Sequence, residues 1–183
     1  MRKVGGVLLA LSLVVSATAI AAGSAGAAAN TVLPTCKSLS GTQTFTPGLP
    51  VITSKVLVKP VTKTTISIVG CTGGGITSGS SSGSTKATTG TNCATLVKNA
   101  GKPGAPSTGV IKWSNGQTSN TSNVLTVTSK PGASPIVVKL VTKYTAGLGK
   151  GKTSTATIVA TPNKGYCTTA PFSKSTFKST SIK

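Results

Sequence analysis

The chain has 183 residues, nineteen of them lysine or arginine, and no aspartate, glutamate or histidine, for a formal charge of +19. An average soluble domain is about one quarter charged, with both signs mixed. The missing acids exclude carboxylate general acids and bases, the paired carboxylates of glycoside hydrolysis, calcium sites built on carboxylates, and every internal carboxylate–lysine ion pair.

At the start of the chain, Arg2 and Lys3 precede an apolar run from Val4 to Ile20, and small residues fill most of Ala21 to Ala29. This is the pattern of a secretory signal peptide over 1–29, with cleavage after Ala27 or Ala29. It leaves 30–183 as a single β domain, long enough to bury its own core. Without Arg2 and Lys3, seventeen positive charges remain and every one is a lysine. No later segment reaches the roughly 18 apolar residues of a membrane span, so the expected location is extracellular, with the cell surface as a place of retention.

Beyond the signal, Thr, Val, Ile and Ser are cut at short intervals by Gly, Pro and Asn. The pattern predicts strands at 38–46, 55–59, 62–70, 108–114, 117–129, 136–145, 152–161 and 172–181. An all-β, antiparallel domain follows: an immunoglobulin-like β-sandwich or a partly open β-barrel, of about eight or nine strands with two disulfides. In 62–70, Thr64, Ile66 and Ile68 share a side opposite Lys63, Thr65 and Ser67. In 136–145, Val138, Leu140 and Tyr144 share a side opposite Lys139 and Lys143. Such alternation places the lysines in solvent. The expected core is Phe45, Ile66, Ile68, Trp113, Leu140 and Tyr144, with Trp113 as packing anchor. Pro60 divides two strands or marks an edge. The stretch 73–90 reads as a flexible or weakly paired Gly/Ser/Thr-rich surface excursion. Asn115-Gly116 reads as a type I′ hairpin turn.

Cysteines stand at 36, 71, 93 and 167. An even count in an exported chain implies two disulfides. The favoured pairing is Cys36–Cys71 with Cys93–Cys167, because 38–46 and 55–70 can form a hairpin that brings the first pair together. Cys71–Cys93 with Cys36–Cys167 is nearly as compatible. No pair has C-x-x-C spacing and no histidine exists to complete a zinc site, so neither metal nor cofactor is expected.

Two short matches to catalytic motifs dissolve in context. Ala146 to Thr153 fits a permissive phosphate loop, but a strand pattern follows where a helix is required, and no acid can hold magnesium. Ser175-Thr176-Phe177-Lys178 copies an S-x-x-K motif, without the downstream elements that motif needs. No catalytic residue is assigned, and no enzyme is expected.

Cys71-Thr72-Gly73-Gly74-Gly75-Ile76-Thr77-Ser78-Gly79, then Asn92-Cys93, then Trp113 to Ser119, resembles a group of small secreted proteins common in actinobacteria. So does Ser40 to Phe45 followed by Pro47-Gly48-Leu49. The resemblance implies an exported, disulfide-bonded β domain and no particular activity.

A lysine is a hydrated point charge, whereas arginine supplies the planar fork that reads phosphate or guanine. The few aromatics form no base-stacking series. Sequence-specific nucleic-acid recognition is therefore not expected, and the partner class is anionic cell-surface polymers or polysaccharides held diffusely and salt-sensitively. Lys55, Lys59, Lys63, Lys139 and Lys143 are the candidate contacts. The alternatives are a secreted antibacterial or membrane-active effector, and an enzyme inhibitor using loop 73–90. With its cysteines paired, the mature chain has no side-chain type that titrates between about pH 3 and 9. The melting temperature should therefore stay nearly constant from about pH 4 to 9. A steep fall between pH 7 and 4 in a thermal denaturation series would contradict this.

Overall fold

The computed structural model describes residues 32–129 and 134–182. The expected signal peptide, with its cleavage sites after Ala27 and Ala29, lies outside them. Among the described residues eight strands run in chain order: β1 (Ser38–Leu49), β2 (Val61–Val69), β3 (Ser78–Lys86), β4 (Ser107–Trp113), β5 (Thr118–Val127), β6 (Ile136–Gly147), β7 (Thr153–Pro162) and β8 (Phe172–Ile182). A six-residue helix, α1 (Cys93–Lys98), sits between β3 and β4. Each strand pairs antiparallel with the next, and β8 pairs back onto β1, closing a barrel in the order β1-β2-β3-β4-β5-β6-β7-β8.

The all-β class and the two disulfides stand, but the sandwich and the partly open barrel give way to closure. The reason is the β1–β8 ladder, from Ser40↔Lys178 to Thr44↔Lys174, which joins the two ends of the meander. It removes the two exposed edges that an open sheet would present. The shortest seam lies between β3 and β4, whose registered pairs are Gly79↔Trp113 and Ser80↔Lys112. Below them the Ser81 hydroxyl donates to the Val110 carbonyl at 2.7 Å.

Alternation sorts the side chains as expected in β2 and β6. Thr64 and Ile68 are buried and Lys63 and Thr65 exposed, while Val138, Leu140 and Tyr144 are buried against exposed Lys139 and Lys143. Of the expected core, Phe45, Ile68, Trp113, Leu140 and Tyr144 are buried and Ile66 packs half-buried against them. The interior also takes Leu39, Ile111, Leu125, Ile158 and Phe177.

Four local expectations are corrected. Residues 78–86 of the supposed flexible excursion form β3, fully registered against β2 from Val69↔Ser78 to Val61↔Lys86. The segment carries no apolar periodicity because its inward places, Gly79 and Ser81, must stay small: a Cβ on Gly79 would sit 2.7 Å from the Trp113 ring. Residues 55–59 do not form a strand; their regular pairing is the single bridge Val58↔Thr91. The turn after Trp113 is not type I′, since Gly116 has φ of 83° but Asn115 is not among the positive-φ residues. The Gly116 N–H donates to Trp113 O and the Trp113 N–H to Gln117 O, so one left-handed glycine closes the hairpin. Helix α1 was not expected either. Asn92 caps it by accepting from the Thr95 N–H at 3.0 Å.

The barrel has two distinct ends. At the lower end, where β1 finishes, Cys93–Cys167 ties the α1 segment to the β7–β8 loop. Phe45, Leu49 and Phe172 pack with this bond into a plug, and the rings of Phe45 and Phe172 lie 4.9 Å apart. At the upper end, Cys36–Cys71 and paired backbone bonds between Thr35 and Thr72 hold residues 32–37 across the opening.

Gly79→Ala should destabilise the fold by about 1–3 kcal/mol through overpacking against Trp113. Ser80→Ala, on the outward face of the same strand, should change stability by less than about 0.5 kcal/mol. Equal denaturant midpoints for the two variants would remove β3 from the packed wall.

Candidate functional site

Every described lysine is exposed, as a chain without counter-ions requires. The strand register then decides which lysines face the same way. On the outside of β8, β1, β2 and β3, Thr44 pairs with Lys174 on one side and Lys63 on the other. Lys63 pairs with Ser84, and Lys86 pairs with Val61, which puts Lys63 and Lys86 on a cross-strand diagonal. Backbone spacing across the sheet makes Lys63 and Lys174 about 9–10 Å apart, and the diagonal pair about 7–8 Å apart. Lys178 lies four residues along β8 from Lys174, about 13 Å.

The ground between these charges is hydroxyl. Thr176, Thr42, Thr65 and Ser82 form one registered row across four strands, and the Thr42 and Thr65 hydroxyls bond each other at 2.9 Å. The next row runs Lys178, Ser40, Ser67, Ser80 and Lys112. This face therefore offers separated cations over a polar carpet. The spacings are close to one Debye length at physiological salt, about 8 Å. The charges are spread over the wall and do not converge on a single point.

The expected contacts divide between two sides. Lys63 sits in this face, and Lys55 and Lys59 are exposed on the β1–β2 loop that leads into β2. Lys139 and Lys143 are exposed on β6, four strands from β2 in either direction around the ring, so they face the opposite way. Lys86, Lys174 and Lys178 complete the β8–β3 face and are not among the contacts expected from the sequence. Their grouping depends on β8 returning to β1, which no local pattern reveals.

The interior is neutral and contains cavities. One of about 210 Å³ lies under residues 32–37 at the upper end, lined by Leu33, Leu39, Ile68, Trp113, Tyr144 and Ala156 among others. A second space of about 40 Å³ lies deeper, beside Ser81, Thr121, Asn123 and Thr142. There Thr142 donates to Asn123 Oδ1 at 2.9 Å, and Asn123 Nδ2 donates to Thr121 at 3.1 Å. A third, about 30 Å³, adjoins Gln43. Gln43 Nε2 and its cross-strand neighbour Thr64 Oγ1 are buried without a hydrogen-bond partner among the described residues.

The polar groups around the upper cavity differ in how well they are satisfied. The Trp113 indole N–H donates to Ser119 Oγ at 2.8 Å, and that hydroxyl donates onward to Leu148 O at 2.7 Å. Tyr144 and Ser154 face each other at 3.5 Å, well beyond the usual O–H···O distance of about 2.7–2.8 Å. Burial pushes the Tyr144 phenol above its ordinary value, with the Ser154 hydroxyl partly opposing the shift. Burial raises Tyr166 as well.

The motif matches have plain structural roles. Residues 148–152 are a tight link between β6 and β7, held by Gly151 N–H to Tyr144 O and Lys152 N–H to Gly149 O. In β8, Ser175 is buried and Lys178 exposed, so the two cannot act together. No helix among the described residues is long and apolar enough to cross a membrane. All four cysteines are paired, which fits an oxidising compartment. The molecule thus belongs to the class of closed eight-stranded antiparallel barrels with both ends covered. Comparison with protein-family models, with curated proteins and with solved structures returns no match.

A phenol whose pKa is raised on folding keeps its proton where the unfolded chain loses it. Its contribution is therefore present below the unfolded value and is lost as pH rises above about 10. Thermal stability should fall through that range, and the fall should be shallower in Tyr144→Phe. An identical alkaline slope in the variant, measured by melting temperature against pH, would contradict the assignment.

Proposed function

We propose that the chain is a secreted, non-enzymatic barrel retained at the cell envelope by diffuse binding of anionic polymers to its β8–β1–β2–β3 face. The observation that carries this reading is the registered group Lys63, Lys86, Lys174 and Lys178 on one outward surface of a chain without acids. Nothing on that surface neutralises them, and the serine and threonine rows between them suit a hydrated polymer of alcohols and anions. Spacings of about 7 to 13 Å match repeated charges better than one compact ligand. The resemblance to small secreted proteins agrees with export.

A second reading rests on the β1–β2 loop. Ile52, Val56 and Leu57 are 42%, 62% and 58% exposed there, beside Lys55 and Lys59. The loop is held firmly, by Asn92 Nδ2 to Ser54 O at 2.8 Å and by Ile52 N–H to Cys167 O at 2.8 Å. Apolar side chains flanked by cations favour an anionic lipid interface.

Polyphosphate and an acidic polysaccharide, titrated at low and molar salt, test the first reading. Binding at low salt and release at molar salt are expected. Each surface lysine contributes about 1 kcal/mol at an anionic surface, so K63Q/K86Q/K174Q should weaken binding roughly a hundredfold. K139Q/K143Q, on the opposite side, should cost much less. Equal losses for the two sets, or binding that persists in molar salt, would sink the assignment. Retention on anionic vesicles that is lost in Val56→Ser/Leu57→Ser, with no affinity for the polymers, would favour the loop instead.

A further inference from the structure

We infer that the upper cavity is a binding site for a small, uncharged, mostly apolar molecule of single-ring size carrying one polar atom. Its volume of about 210 Å³ exceeds the roughly 150 Å³ of an apolar cavity known to accept benzene. The walls come from several parts of the barrel, with Leu39 on β1, Ile68 on β2, Trp113 on β4, Leu140 and Tyr144 on β6, and Ala156 on β7. These are buried residues of the main core, so the space reaches into the packed interior, while the exposed Thr35 and Thr153 line its outer part.

Size and lining define the apolar part of the ligand, and the hydroxyls define the rest. Trp113 offers no free donor to the cavity, because its N–H is committed to Ser119. Thr142 is committed to Asn123. Tyr144 and Ser154 are different: at 3.5 Å their mutual bond is weak, and a ligand hydroxyl or carbonyl gives either of them a better partner. No lysine lines the cavity and no acid exists in the chain, so a charged guest would meet no counter-ion.

Access is controlled by residues 32–37. Leu33 and Pro34 line the cavity, and their segment is anchored by Cys36–Cys71 and by bonds of 3.0 and 2.9 Å between Thr35 and Thr72. The segment is a roof, tied at one end and pinned at one bridge. The site shares no residue with the polymer-binding face, so it stands or falls independently of that reading.

The chain holds a single tryptophan, and it lines the cavity, so its emission reports occupancy. Toluene and p-cresol are suitable probes. Both should saturate with a change in Trp113 emission, and p-cresol should bind about two- to tenfold more tightly through its hydroxyl. Tyr144→Phe combined with Ser154→Ala should remove that advantage while leaving toluene affinity unchanged. Ala156→Phe, which fills the space, should abolish both responses without altering polyphosphate binding. Methyl resonances of Leu33, Leu39, Ile68, Ile111 and Leu140 should shift on probe addition even if that variant does not fold. Failure of both probes to saturate, methyl shifts confined to other residues, or an undiminished p-cresol advantage in the Tyr144→Phe/Ser154→Ala variant would overturn the proposal.

Discussion

A chain with eighteen lysines, one arginine and no carboxylate side chain folds under one electrostatic constraint: like charges must be kept in water and apart. No ion pair between side chains can bind one segment to another, so cohesion falls to neutral interactions. Backbone ladders, an interior of aliphatic and aromatic side chains, and two covalent bonds carry it. A closed barrel suits this constraint because it turns every alternate residue of every strand outward. Each strand lysine then takes an outward position, with hydroxyls rather than further charges as most of its neighbours. The same separation leaves an interior without ionisable groups other than the tyrosines, and this is why acid should do so little to the fold.

Closure imposes its own demands. A ring of eight strands leaves an interior just wide enough to be filled by side chains or to hold one small ligand. Here both solutions occur at different heights. The lower end is filled by Phe45, Leu49 and Phe172 around Cys93–Cys167. The upper end is spanned by a roof that does not descend into the space below it. In between, Trp113 is accommodated because β3 presents glycine and serine inward, and the large residue on one strand is matched by small ones on the next. Gly41 follows the same logic, since a Cβ there would fall on the Thr65 carbonyl and the Phe177 ring.

This complementarity explains which parts of the fold were legible in the sequence. β2 and β6 could be read because Ile66, Ile68, Val138 and Leu140 alternate with lysine and threonine, a local signal that survives in any half-buried sheet. β3 could not, because its inward residues are small in answer to Trp113, which lies more than thirty positions away. Composition makes Ser78 to Lys86 look like a surface excursion when it is part of the barrel wall. The Asn115-Gly116 turn was placed correctly and typed wrongly, as one left-handed residue rather than two closes it. The candidate face was legible only in part. Lys63 stands out by alternation, but its grouping with Lys174 depends on a strand pairing across more than a hundred residues. Lys139 and Lys143 repeat the same local pattern on β6 and end up on the opposite wall.

The two proposed sites make opposite use of the lysine-only composition. Outside, the absence of acids leaves a field that no neighbouring group neutralises, so long-range attraction is strong and selectivity weak. Inside, the same absence leaves no formal charge, and selectivity must come from shape and from the one poorly matched hydroxyl pair, Tyr144 and Ser154. A barrel wall lies between them, and alternation assigns each residue to one side or the other. Substitutions on the outward positions of β8, β1, β2 and β3 therefore leave the cavity lining untouched. Filling the cavity leaves the external field unchanged. That separation follows from the pleat of the strands, and it lets a lysine-bearing exterior coexist with a neutral interior in a single small domain.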